Sequence, residues 1–73
     1  MNPKLSNREL EILSLAARGK SNPQIGALLY LTPPTVRDHM GRIFIKLGAR
    51  NRTEAVVRYL TGYGPGYRVE VVE

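Results

Sequence analysis

Ser21-Asn22-Pro23-Gln24-Ile25-Gly26-Ala27-Leu28-Leu29, then Tyr30-Leu31, then Thr32-Pro33-Pro34-Thr35-Val36-Arg37-Asp38-His39-Met40: these twenty residues decide the fold. Ser21 with Gln24 three positions on is a capping box, in which the hydroxyl accepts from the Gln24 amide and the Gln24 side chain reaches back. Pro23 falls in the first turn, where an amide donor has no intrahelical partner in any case. A short helix then runs through Ile25, Leu28 and Leu29. It breaks at Tyr30-Leu31, and Thr32 caps a second helix whose first turn holds Pro33 and Pro34. Two helices joined by about three turn residues have the form of a helix-turn-helix. Gly26 lets the helix backbones come close, Leu31 plugs the turn, and Val36 faces back toward the junction. A plain helical hairpin inside a bundle shares the pattern.

Outward from this centre the helix ends are equally legible. Ser6-Asn7-Arg8-Glu9 is another capping box, and Leu5 and Leu10 stand at the spacing of a hydrophobic staple. The helix it opens is expected to reach about Arg18, with Leu10, Leu13 and Ala17 on one face. Ile12 and Ala16 widen that stripe, and Gly19 ends the helix. Downstream, the helix capped by Thr32 runs to Leu47 and is closed by Gly48. Asn51-Arg52-Thr53-Glu54 opens a fourth helix to Leu60 or Thr61, stopped by Gly62. Tyr63-Gly64-Pro65-Gly66-Tyr67 cannot continue a helix. Arg68 to Glu73 alternates weakly, as an edge strand would, but reads better as a flexible tail. The expected architecture is all-α: a four-helix helix-turn-helix domain over residues 1–62, a tetrahelical bundle with the third helix as recognition helix. The helix-turn-helix spans about 21–40, and 63–73 form a C-terminal tail.

Composition narrows the function. A core of 73 residues is marginal on its own, so a second copy of the chain is an attractive source of further burial. With no cysteine and one histidine, neither a disulfide nor a dedicated structural metal is expected. No run of 18 apolar residues suggests a membrane span, and Met1-Asn2-Pro3-Lys4 lacks the apolar stretch of a signal peptide. The expected location is cytoplasmic. Eleven Lys and Arg against six Asp and Glu leave a net charge of +5. Between Leu31 and Leu60, Arg37, Arg42, Lys46, Arg50, Arg52 and Arg58 face only Asp38 and Glu54, six cations against two carboxylates, or +4. Such a segment suits a polyanion, since each neutralised phosphate releases counterions; on charge alone a solvated helical face fits equally well.

The third helix carries the reading face. At about 100° per residue, Val36, Met40, Ile43 and Leu47 form one narrow stripe, the core side. The opposite side holds Asp38, Gly41, Arg42 and Ile45, flanked by Thr35, Arg37, Phe44 and Lys46. Arginine can bridge guanine O6 and N7, Asp38 can accept from cytosine N4, and Gly41 lets the helix sit close to the bases. Ile45 either touches a thymine methyl or packs on a neighbouring element. His39, on the core margin, reads as a packed side chain, with a phosphate contact as the alternative. No nucleophile or metal constellation accompanies it, so the chain reads as a non-enzyme with no cofactor and no small-molecule ligand.

Five stretches, in order and in one register from Leu5 to Leu60, resemble the LuxR-type (GerE-like) DNA-binding domain. They are Leu5-Ser6-Asn7-Arg8-Glu9-Leu10-Glu11-Ile12-Leu13, Ser21-Asn22-Pro23-Gln24-Ile25-Gly26, Thr35-Val36-Arg37-Asp38-His39, Lys46-Leu47-Gly48-Ala49 and Arg52-Thr53-Glu54-Ala55-Val56. The resemblance implies a recognition helix beginning near Thr35 and a role in bacterial transcription control. It implies base contacts from Arg37, Asp38 and Gly41, and phosphate contacts from Asn22, Thr35 and Lys46. Asp38 and Gly41 stand where relatives often carry basic or polar side chains, which shifts base readout toward Arg37 and Arg42. Ile45 departs in the same way, Pro34 is a second proline rarely found in relatives, and Gln24 and Gly26 replace the commoner glutamate and alanine. The domain usually forms the output half of a longer regulator. A chain opening on Met1 with 73 residues resembles the members that consist of little else.

The fourth helix bears on assembly. Ala55, Val56, Val57, Tyr59 and Leu60 exceed the roughly 100° apolar stripe that one helix needs to cap a bundle. Val57 and Leu60 are therefore the expected homodimer contacts, and the resemblance points the same way. A two-fold dimer favours an inverted-repeat site; if Val57 and Leu60 instead pack under Tyr63 to Tyr67, the chain is a monomer. Against double-stranded DNA as the partner stands a rival of another class, a helix-turn-helix module docking on RNA polymerase or another regulator. Asp38 and Ile45 are the features that favour it.

Overall fold

The structure, a computed structural model, describes residues 5–64 and 67–68. Four helices follow one another: α1 (Asn7–Ala17), α2 (Asn22–Leu29), α3 (Pro33–Leu47) and α4 (Arg52–Thr61). Their starts are set by the expected side chains. Ser6 Oγ accepts from the Glu9 amide at 3.1 Å while Glu9 Oε1 accepts from the Ser6 amide at 2.7 Å. Ser21 and Gln24 repeat the exchange at 3.3 and 2.8 Å. Thr32 caps α3 and Asn51 caps α4, where Asn51 Oδ1 accepts from the Glu54 amide at 2.8 Å. Each cap satisfies amides that would otherwise be orphaned at a helix start.

The ends divide by chemistry. Gly48 and Gly62 close α3 and α4 in the left-handed region, where glycine carries no Cβ penalty. α2 closes in the same conformation on Tyr30, with φ 60° and ψ 41°, a tyrosine 95% exposed. α1 stops at Ala17 with Arg18 as its cap, one residue before the expected end, and Gly19 follows with φ 85°.

The core is built from all four helices: Ile12, Leu13 and Ala16 of α1, Ile25 of α2, Val36, Met40, Ile43 and Leu47 of α3, and Ala55 of α4. The α3 stripe is the expected one. The α1 face is rotated from expectation. Leu10 is exposed and Ala17 half-buried, while Glu9, Ile12, Leu13 and Ala16 are buried. Six of the eight positions from Leu10 to Ala17 are apolar, so two overlapping stripes are available, and the buried one is Ile12, Leu13 and Ala16 with Glu9 beside it. On α2, Ile25 is buried while Leu28 is exposed.

Gly26 shows why the turn is tight. A Cβ built there would lie 2.3 Å from the Leu31 carbonyl oxygen, and the Leu31 amide donates to the Gly26 carbonyl at 2.8 Å. An alanine there would push this turn outward, so the close approach is between the turn and α2 rather than between two helices. Beyond α4, two strands, β1 (Tyr63–Gly64) and β2 (Tyr67–Arg68), pair antiparallel, Tyr63 opposite Arg68 and Gly64 opposite Tyr67. The expected tail continues through 65–66 and 69–73, which lie outside the described residues.

Candidate nucleic-acid interface

With Val36, Met40, Ile43 and Leu47 buried, the other side of α3 is held outward by the core itself. Arg37, Asp38, Gly41, Arg42 and Ile45 are all exposed. Among the described residues, Arg37, Asp38 and Arg42 have no side-chain hydrogen bond or ion pair. A Cβ built on Gly41 meets nothing within 4 Å. The outer face is therefore a row of unengaged polar side chains around a backbone notch, on a rod about 10–12 Å across, which matches the ~12 Å width of a major groove.

The three residues expected on the phosphates lie differently. Thr35 is half-buried in the first turn of α3, its hydroxyl 2.9 Å from that of Thr32. Asn22 begins α2, and its Oδ1 accepts from Arg52 Nη1 at 2.7 Å, which leaves its amide NH2 to donate elsewhere. Lys46 Nζ lies 2.8 Å from Glu9 Oε1, and that carboxylate is buried, with the Glu9 residue only 4% exposed. Burial by itself raises the Glu9 carboxyl, but the Lys46 ammonium and the Ser6 amide outweigh it, and the group is held below its ordinary value of 4.5.

Two residues of this framework were not singled out for these roles from sequence. Glu9 reads as a cap, yet it also joins α1 to α3 through Lys46, 37 positions away. Arg52 reads as part of a helix start, yet its guanidinium donates to Asn22 Oδ1 and to the Lys20 carbonyl, tying α4 to the start of α2. No local pattern marks either one, because each partner lies 30 or more residues distant. His39 is half-buried. Among the described residues no three His, Cys, Asp or Glu side chains gather as a metal site requires, and no helix is long and apolar enough to cross a membrane.

A capped helix pair with a glycine-tight turn and a bare outer face on its second helix is the geometry against which the chain compares with known proteins. The family model GerE, "Bacterial regulatory proteins, luxR family", matches residues 3–59. The chain belongs to the LuxR family. That family consists of DNA-binding transcription regulators rather than a class of enzymes. This LuxR-family domain is 49% identical over 53 residues to the transcriptional regulatory protein LiaR of Bacillus subtilis, covering 73% of this chain and 25% of LiaR. It is 48% identical over 54 residues to the probable transcriptional regulatory protein NarL of Mycobacterium tuberculosis, covering 74% of this chain and 25% of NarL. Among solved structures, the response regulator ChrA of a heme-sensing two-component system superposes with a TM-score of 0.74 at 42% identity, over 78% of this chain and 28% of ChrA. The chain thus spans about a quarter of the length of these relatives.

Proposed function

We propose that this LuxR-family domain regulates transcription by binding double-stranded DNA sequence-specifically, with α3 in the major groove, as a homodimer on an inverted repeat. The observation that carries the reading is the outer face of α3: Arg37, Asp38, Gly41 and Arg42 stand exposed and unengaged on a helix whose other side is the core. These four read the bases, and Asn22, Thr35 and Lys46 hold the phosphates. The domain's place is then at the nucleoid, in the bacterial cytoplasm. Its net charge of +5 supplies the salt-sensitive, sequence-independent part of the affinity.

The dimer reading rests on α4, where Val57 and Leu60 are 51% and 68% exposed, so neither packs away inside the monomer. Beside them lies a shallow apolar recess lined by Ala16, Arg52, Thr53, Val56 and Val57. Uncovered apolar surface of this kind on a small domain marks a partner site. A second copy seated there sets two α3 helices about 34–36 Å apart, one turn of DNA.

Selection from a random duplex pool tests the reading. The enriched duplex is expected to contain an inverted repeat and to bind on the order of 10³-fold tighter than random duplex at the same salt. Absence of enrichment, with all duplexes bound alike, would leave only nonspecific charge and sink the proposal.

A further inference from the structure

Ile45 is the apolar member of an otherwise charged and polar outer face, and it is 81% exposed. Its two neighbours in sequence, Phe44 and Lys46, are half-buried, and among the described residues nothing covers it. That settles its place in the fold: Ile45 is not a packing residue. Successive helical positions turn by about 100°. Seven residues separate Ile45 from Asp38, so the two lie almost on one line, opposite the stripe of Val36, Met40, Ile43 and Leu47. Gly41 stands between them with open space where a Cβ would be. At that notch the α3 backbone can descend toward the groove floor, carrying with it the turns on either side. Ile45 then follows the base-facing line about 10 Å beyond Asp38, at a rise of ~1.5 Å per residue.

We propose that Ile45 is a specificity-determining residue, reading the C5-methyl group of a thymine. The inference rests on α3 being the groove-bound helix. A lone exposed aliphatic residue needs no explanation elsewhere on a surface; on this line its position gives it one. The groove edge of a base pair offers donors, acceptors and one apolar group, the thymine methyl. An isoleucine has no hydrogen bond to offer, so only that methyl gains from it, and placing it over the polar edge of a G·C pair desolvates acceptors without compensation.

The test uses the whole chain, wild type and Ile45→Ala, with the duplex that the wild type enriches from a random pool. Each thymine of that duplex is replaced in turn by deoxyuridine, which removes the methyl and leaves the pairing edge intact. At one thymine of each half-site, deoxyuridine is expected to weaken wild-type binding about three- to fivefold, the weight of one buried methyl group. The same replacement should leave Ile45→Ala unchanged. Far-UV circular dichroism verifies that the variant keeps its helices. If no deoxyuridine affects the wild type, or if each affects both proteins equally, Ile45 reads no methyl even though DNA reading stands. If the wild type enriches no sequence at all, DNA reading fails and this inference falls with it.

Discussion

Tyr30 occupies the left-handed region that an L side chain enters at a cost of about 1–2 kcal/mol. Its ring is almost wholly in water, so packing offsets little of that cost. Asparagine visits the same region more readily. Tyr30→Asn is expected to stabilise the domain by roughly 0.5–1 kcal/mol, raising Tm by a few degrees in a chain of this size. A lowered Tm in thermal circular dichroism would mean the ring makes a contact that its exposure hides. Arg37 poses the opposite question, since it is exposed and unengaged among the described residues and its proposed role lies in a DNA complex. Arg37→Ala should leave Tm unchanged and cost about 1–3 kcal/mol on the enriched duplex, with far less on random duplex. Equal loss on both duplexes would assign Arg37 to the phosphates.

Between elements, the Glu9–Lys46 pair adds one directional contact between α1 and α3 to the apolar core they share. Its pH dependence has a definite sign. The folded Glu9 carboxyl is held below 4.5, so the unfolded chain takes up the proton first. The stabilisation is complete above that value and fades as pH falls through the depressed folded one. Glu9→Gln is expected to lower stability by about 1–2 kcal/mol at pH 7 and to lose less than the wild type on acidification. Glu54, also lowered, chiefly by the Arg50 amide that donates to it, is common to both proteins and cancels in the comparison. Urea midpoints near neutrality and near pH 3 would show it; identical acid losses would remove Glu9 as the titrating group. The same pair marks the limit of what the sequence reveals. Helix starts were legible at Ser6, Ser21, Thr32 and Asn51 because a cap and its partner lie within one turn. The outer face of α3 was legible because its apolar stripe is narrow. The α1 face was less so, because apolar residues occupy most of its positions from Leu10 to Ala17 and leave more than one stripe to bury. Arg52 was hidden because its acceptors lie across a fold that had first to form.

For the whole molecule the test is whether two copies pair through α4, as the proposed dimer requires. Val57→Glu places a charge on an exposed α4 position, so the helices should persist while pairing is lost. Binding to a duplex with two half-sites should weaken at least about tenfold, the equivalent of ~1.4 kcal/mol, and single-half-site binding should hardly change. Sedimentation showing the wild type monomeric on and off DNA, with no cooperativity, would end the dimer reading. Arg52 then acquires a mechanical meaning. It starts the helix on which two copies would meet, and its guanidinium grips Asn22 and the Lys20 carbonyl beside the helix-turn-helix. In the proposed dimer, a displacement at the seam between copies would be passed through these contacts to the proposed DNA-facing end of the same domain rather than absorbed at a hinge. The pair would behave as a ruler of fixed length, tolerant of little change in the gap between half-sites. Arg52→Ala should loosen that ruler, so that duplexes with one base pair added or removed at the centre, discriminated against by the wild type, bind the variant nearly as well as the original.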